Sequence, residues 1–228
     1  MGTLGGGRVE HDVLREAALA LVDGQTRRLD LRLAEDLGMC CGGRMEVYVE
    51  PIASRTPFLL FGAGHISAAL APLLHGLDFD VTVVDDRDAL TTADRFPHAT
   101  LRTDEPERFA DAWAGDTRTF VLVVTHDHAR DQAVAGSLLT KPAAWRGLVG
   151  SRAKVARFFE RWTAAGADPA TFGGLSAPVG LDVGAETPAE IAVAIAAEVL
   201  WVRRGAAREP GPLARRPNPA RKVPWTPV

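Results

Sequence analysis

Several clusters of side chains in this chain have the types and spacing of ligand chemistry. The first is Phe58-Leu59-Leu60-Phe61-Gly62-Ala63-Gly64-His65-Ile66-Ser67, an apolar run that ends in a glycine turn. An apolar-patterned helix over residues 68–77 follows, then a second apolar run, Val81-Thr82-Val83-Val84, ending on Asp85. Strand, glycine turn, helix, strand and acid is the order of a nucleotide-binding βαβ unit. Gly62 supplies the tight turn. Gly64 has no Cβ, so a phosphate can approach the backbone where the helix N-terminus offers free N–H groups and a positive dipole end. Gly62 to Asp85 spans about 23 residues, close to the interval of about 20 to the acid that holds a ribose. Ser67 occupies the third glycine position and His65 lies inside the loop, so the fingerprint is imperfect. A βα turn with no ligand is the competing reading.

The other clusters also follow apolar runs. Asp85-Asp86-Arg87 closes the second strand, Thr125-His126-Asp127-His128 follows Thr119-Phe120-Val121-Leu122-Val123-Val124, and Gly150-Ser151-Arg152-Ala153-Lys154 follows Arg146-Gly147-Leu148-Val149. In an open α/β sheet, ligands bind beyond the carboxyl ends of the strands, so these clusters are expected on one rim. Ser151 is a candidate helix cap beside the cations Arg152 and Lys154, an arrangement able to receive an anion or to be an ordinary solvated cap. His126 and His128 with Asp127 and Asp131 have metal-ligand chemistry but match no closed zinc spacing, so polar ligand contacts or loop-bracing bonds are the better reading. Asp85 is a candidate for a hydroxyl-bearing ring, or a strand-end acid that caps a turn. Cys40-Cys41-Gly42-Gly43 adds thiols, which are soft metal ligands and sulfur nucleophiles when ionised, and small apolar packing groups when not.

The elements that must position these residues divide the 228-residue chain into a front section, 1–55, a main section, 56–204, and a tail, 205–228. In the front section, residues 9–22 pattern as a helix with Val13, Leu14, Ala17, Ala18, Leu21 and Val22 on one face. Leu29, Leu31 and Leu33, and then Met45, Val47 and Val49, alternate as half-buried strands. Residues 53–57 read as a linker. In the main section, helices are expected over 106–113, 129–139 and 153–165, between strands apolar on both faces as in a parallel sheet. Thr187-Pro188-Ala189-Glu190 opens a final helix with a capping box. The fold class is therefore α/β: a Rossmann-like parallel sheet with helices on both faces, plus a small N-terminal α+β section. The Pro- and Arg-rich tail reads as disordered.

Composition narrows the function. Hydrophobic residues make up 46% of the chain, enough for a proper core. Lys and Arg number 26 against 29 Asp and Glu, a net charge of −3 that argues against general binding to nucleic acid or an anionic membrane. The only two cysteines are adjacent and staple nothing, so a reducing, cytoplasmic setting fits. No apolar run reaches the length of about 18 residues expected of a membrane span, and no signal peptide is indicated.

Taken in order, the motifs resemble those of the XdhC/CoxI family, the xanthine dehydrogenase accessory or molybdenum cofactor maturation proteins. Gly38-Met39-Cys40-Cys41-Gly42-Gly43-Arg44, ending in Val49-Glu50-Pro51, is similar to that family's CCGG signature. Gly2-Thr3-Leu4-Gly5-Gly6-Gly7-Arg8-Val9-Glu10 is similar to its GT-hydrophobic-GGG-x-x-E motif. Phe61-Gly62-Ala63-Gly64-His65, Val84-Asp85-Asp86-Arg87, Arg95-Phe96-Pro97, Thr125-His126-Asp127-His128, Gly150-Ser151-Arg152-Ala153-Lys154 and the run from Gly180 to Pro188 follow in order.

The resemblance implies a non-enzymatic chaperone that binds the molybdenum cofactor (molybdopterin), supports its sulfuration and delivers it to a xanthine dehydrogenase-type apoenzyme. It also implies a sulfur donor of the cysteine desulfurase type and a homodimer. Carried over residue by residue, Cys40 and Cys41 become contacts to molybdenum or sulfur. Gly62, Gly64 and His65, with Ser151 and Lys154, become the cradle for the cofactor's phosphate. Asp85, His126, Asp127 and Glu186 become pterin or inter-domain contacts. Family members carry a Gly-Ser-x-Pro-Arg segment ahead of the first motif, whereas Met1 stands almost on it, so either a misassigned start or a truncated front domain is expected, and missing strands would leave an open sheet edge. The glycine fingerprint alone supports a second reading, an NAD(P)-dependent oxidoreductase.

Overall fold

The computed structural model describes residues 4, 6–23, 25–32, 43–51 and 55–205. Cys40 and Cys41, Leu33 and the tail from residue 206 onward lie outside the described residues. The chain forms two compact units, Met1–Ser54 and Arg55–Val228.

In the first unit, helix α1 (Gly7–Asp23) is followed by strands β1 (Arg27–Arg32) and β2 (Arg44–Val49), which pair antiparallel. The expected alternation places Leu29 opposite Val47 and Leu31 opposite Met45 on one half-buried face. Arg28 pairs with Glu46, and Arg44 with Asp30, on the exposed face. The buried face of α1 is narrower than its composition suggests. Val9, Val13 and Ala20 are buried, while Leu14 and Leu21 are 62% and 72% exposed. Val9, Val13 and Ala20 fall on one stripe at a period of about 3.6 residues; Leu14 and Leu21 each stand one residue past a stripe position, about 100° further round.

The second unit is built on a six-stranded sheet, all of it parallel. Its elements are β3 (Thr56–Phe61), α2 (His65–Gly76), β4 (Phe79–Asp85), β5 (Thr100–Thr103), α3 (Pro106–Ala112), β6 (Asp116–Val123), α4 (His128–Leu138), β7 (Ala143–Leu148), α5 (Arg152–Ala164), a short turn of 3-10 helix (Pro169–Gly174), β8 (Leu175–Ser176) and α6 (Pro188–Arg203). The strand order is β5-β4-β3-β6-β7-β8. The chain walks outward from β3 to one edge, then returns to the other side of β3 and walks outward again. That is the doubly wound order of a Rossmann sheet, with its switch point between β3 and β6.

Burial on both faces explains the continuous apolar runs. Alternate residues of the central strands enter two separate cores. Phe58, Leu60, Val81, Val83 and Leu122 pack beneath α2 and α6, with Leu70, Leu74, Ile195 and Val199. Phe61, Val121, Val123 and Leu148 pack beneath α4 and α5, with Val134, Leu138, Phe158 and Trp162. Helix α6 starts as expected, with Thr187 as N-cap, Pro188 in the first turn and Glu190 completing a reciprocal capping box. Two strands have no counterpart in the apolar pattern. β5 is a four-residue edge strand that is largely exposed, and β8 has only two residues, so neither needed an apolar run. Among the described residues no helix is long and apolar enough to cross a membrane.

Candidate functional site

The glycine turn between β3 and α2 lies at the switch point. Gly62 has φ +113°, a conformation that L side chains rarely adopt, and a Cβ there would stand 2.4 Å from the Val124 carbonyl oxygen. The turn and the loop after β6 therefore touch backbone to backbone. The polar groups of Gly62 both have partners. Its N–H donates to the Val84 carbonyl at 2.9 Å, and the Ser67 hydroxyl donates to its carbonyl at 2.6 Å. Ser67, which departs from the glycine fingerprint, is fully buried and supplies a bond that a third glycine could not.

Beyond Gly64 the situation reverses. The first-turn N–H groups of a helix have no intrahelical acceptor, and no side chain caps α2. By contrast, Asp127 caps α4 by accepting from the Ala129 and Arg130 N–H groups, and Ser151 caps α5 by accepting from the Lys154 N–H. Beyond its own backbone and its two chain neighbours, no atom lies within 4 Å of where a Cβ on Gly64 would stand. The α2 N-terminus thus has free donors, the positive end of a helix dipole and open space in front of it, the requirements of an anion cradle. His65 opens the helix with its side chain exposed. Arg95, from the Arg-Phe-Pro motif, donates from Nη2 to the Ala63 carbonyl at 3.0 Å, and its Nε is buried without a partner. No carboxylate pairs with Arg95 among the described residues.

Asp85 closes β4 beneath the turn and is 1% exposed. Its Oδ2 accepts from the Ala63 N–H at 2.7 Å and from Arg87 Nη2 at 2.6 Å. Its Oδ1 accepts from the Arg87 N–H at 3.0 Å and from Arg87 Nε at 2.8 Å. Burial pushes this carboxyl up, but the Arg87 guanidinium and the two N–H donors outweigh it and hold the group below its ordinary 3.8. A depressed folded-state pKa stabilises the fold fully above the unfolded value, and that stability is lost as pH falls from there through the folded pKa. Asp85→Asn is therefore expected to be less stable than wild type at neutral pH and to converge on it as the pH falls from 3.8 through the lower folded-state value. Urea denaturation across the acid range checks this, and a stability gap that does not change with pH would refute it.

The loops after β6 and β7 are joined by a buried ion pair. Lys154 Nζ bonds Asp131 Oδ2 and donates to the Val149 carbonyl at 2.9 Å, with the two side chains 10% and 3% exposed. Asp131 Oδ1 also accepts from the Thr125 N–H at 2.8 Å and from the Thr125 hydroxyl at 2.7 Å. The spacing of Asp131 and Lys154 gave no sign of this contact, which forms only when β6 and β7 pair side by side. His126 and His128 are exposed on either side of the Asp127 cap. The Ala129 and Arg130 N–H groups hold the Asp127 carboxyl below its usual range. Among the described residues no group of three or more His, Cys, Asp or Glu side chains is placed to hold a metal. A second rim pair links Arg130 to Asp86 at 2.8 Å, with Glu107 at 3.5 Å from its Nε.

Glu186 sits exposed in the loop before α6, and its N–H donates to Glu190 at 2.8 Å. That loop is held from behind by Glu198, which is 6% exposed and accepts from Trp145 Nε1 at 3.3 Å, the Gly180 N–H at 2.5 Å and the Ser176 hydroxyl. The structure thus gathers Gly62, Gly64, His65 and Asp85 at one turn, and sets Asp127 at the start of α4 and Ser151 and Lys154 at the start of α5 on the same rim. Arg87, Arg95 and the Asp131 partner of Lys154 complete the rim. Arg95 was legible only as part of a motif, the Arg87–Asp85 contact is local, two residues apart, and the Asp131–Lys154 contact is tertiary.

A parallel sheet in this order, with an uncapped helix at its switch point, defines a Rossmann-type domain. The chain belongs to the XdhC family: the profile of the XdhC Rossmann domain matches residues 58–199. It is 35% identical over 224 residues to an uncharacterized protein, YqeB, of Escherichia coli (strain K12), covering 96% of this chain and 40% of that protein. It is 32% identical over 159 residues to a probable xanthine dehydrogenase subunit of Bacillus subtilis (strain 168), covering 69% of this chain and 46% of that protein. The chain therefore spans less than half the length of these relatives. A crystal structure of a xanthine dehydrogenase from Bacillus halodurans shares the fold with a TM-score of 0.62 at 21% identity, covering 87% of this chain and 68% of that one.

Proposed function

We propose that this protein is an accessory factor that holds the molybdenum cofactor, supports its sulfuration and hands it to a xanthine dehydrogenase-type apoenzyme. The observation that carries the reading is the α2 N-terminus: a glycine turn at the switch point, free N–H donors, open space at Gly64 and Arg95 alongside. These residues fit the phosphate end of a pterin cofactor. Membership of the XdhC family and the name of the Bacillus subtilis relative support the choice of client.

In this reading the turn formed by Gly62, Gly64 and His65 binds the phosphate, with the α5 start at Ser151 adding donors. Lys154 reaches the same anion by loosening its bond to Asp131, and otherwise positions the two loops. His126, Asp127 and Glu186 contact the pterin. Cys40 and Cys41 supply thiolates to the molybdenum or to the sulfur being transferred, and a cysteine desulfurase-type donor supplies that sulfur. A homodimer and a cytoplasmic location belong to the same proposal. No step in this role needs the protein to transfer a hydride.

The test is cofactor retention. The purified chain, incubated with molybdenum cofactor and passed through a desalting column, is expected to carry molybdenum and pterin fluorescence together in the protein fraction. Gly64→Asp, which places a carboxylate where the phosphate would sit, is expected to reduce retention by about tenfold or more. Absence of both signals from the wild-type fraction sinks the reading. A Cys41→Ala protein that retains cofactor and still delivers it in sulfurated form removes the thiol from the mechanism.

A further inference from the structure

An acid at the end of the second strand of a dinucleotide-binding βαβ unit holds the ribose by accepting from its hydroxyls. Asp85 stands at that position, but its carboxylate is already complete. A carboxylate offers about four acceptor sites, and the Ala63 N–H, the Arg87 N–H, Arg87 Nε and Arg87 Nη2 fill them. The Arg87 guanidinium forks across both oxygens and covers them from the solvent side, its own side chain 32% exposed against 2% for Asp85. A ribose could reach Asp85 only by replacing two bonds in which both partners are charged with two in which only the carboxylate is, an exchange that gives up the ion-pair attraction at each contact.

We propose that Arg87 is a specificity-determining residue that closes Asp85 to ribose, so that the glycine turn accepts a terminal phosphomonoester and excludes adenine dinucleotides. The inference rests on the reading of the turn as a phosphate cradle and narrows its ligand. Two features of the same turn agree with it. Asp85 bonds the Ala63 N–H, so the closed acid acts as a strap that sets the turn instead of as a ligand group. On the opposite side of Ala63, the Arg95 guanidinium brings a positive charge with no carboxylate partner among the described residues. A phosphomonoester dianion gains more from that charge than the singly charged phosphates of a dinucleotide linkage do. Within the proposed function, the cofactor form selected is the one whose phosphate end carries no nucleotide.

The experiment titrates the full chain with inorganic phosphate and, separately, with NADH. Amide NMR signals of Gly64 and His65 report the phosphate, and fluorescence reports the dinucleotide. Wild type is expected to shift those amides with phosphate and to bind NADH at least about tenfold more weakly than Arg87→Ala does, since uncovering a buried acceptor for a substrate hydroxyl is worth a factor of that order or more. Phosphate is expected to shift the same amides in Arg87→Ala, whose turn keeps its uncapped N–H donors. Wild type that binds NADH as tightly as a folded Arg87→Ala protein overturns the specificity assignment while leaving the cradle standing. Wild type whose Gly64 and His65 amides ignore phosphate overturns the cradle, and this inference with it. Should Arg87→Ala fail to fold, Arg87→Met is read in its place, and micromolar NADH binding by wild type is by itself sufficient to reject the proposal.

Discussion

Gly62→Ala is expected to destabilise the protein by about 3–5 kcal/mol, enough to leave much of the chain unfolded at ordinary temperature. Two penalties add. A residue with a Cβ held at φ +113° is strained by about 1–3 kcal/mol. The Cβ also meets the Val124 carbonyl oxygen at 2.4 Å, its carbon at 2.8 Å and the Thr125 Cα at 3.0 Å. These are backbone atoms at the end of a central strand and cannot rotate away, so relief needs β3 and β6 to separate, at a cost in packing of a similar size. Gly64→Ala is the control. Its φ is −73° and its Cβ enters open space, so about 1 kcal/mol or less is expected, from the poorer helix cap. Urea denaturation of the two variants separates them. A Gly62→Ala protein within about 1 kcal/mol of wild type would mean that the turn is not seated against β6 as described.

Removing Asp131 is the second large expected effect. Asp131→Ala leaves the Lys154 ammonium, 10% exposed, without its counter-charge, and leaves the Thr125 N–H without its acceptor. Breaking a buried pair from one side costs about 3–5 kcal/mol because the remaining charge is uncompensated. Lys154→Met in the same background removes that charge, with its position 5.5 Å over the Phe158 ring, and keeps an apolar stem of similar length, so the double variant is expected to recover about half of the loss. A double-mutant cycle by thermal melting checks this. Equal stability of Asp131→Ala and the double variant would show that the two groups do not act as a pair. Because the pair joins the loops after β6 and β7, Asp131→Ala should also weaken any ligand held at the α4 and α5 starts, an effect readable in the retained fraction of cofactor.

The architecture is largely legible in the sequence because the central strands are buried on both faces. Residues 58–61, 81–84 and 119–124 are mostly apolar whichever way each side chain points, and Ser151 and Thr187 mark helix starts by local chemistry that needs no tertiary partner. β5 and β8 leave no such trace, since an edge strand and a two-residue strand gain their pairing from a neighbour already in place. The face of α1 departs from expectation at Leu14 and Leu21 for a related reason. Leucine on a helix reports apolar content, and only the packed structure shows that Val9, Val13 and Ala20 define the buried stripe.

The candidate site divides in the same way. The sequence by itself determined the glycine turn, the acid on the second strand, the caps, and a family pattern that the matched profile bears out over residues 58–199. These are short-range signals: each depends on a backbone conformation or a spacing within one βα unit. Only the tertiary structure decided which of those groups have capacity left for a ligand. Asp85 reads as a ribose acid from its position; Arg87, two residues on, fills three of its acceptor sites, and the tertiary bond from the Ala63 N–H turns it into a strap on the glycine turn. Lys154 reads as a free cation and becomes half of an ion pair once β6 and β7 lie side by side. The α2 N-terminus keeps its open donors because no side chain reaches back to it. Hydrogen-bonding capacity is a property of a side chain's surroundings, and those surroundings exist only after the strands have paired.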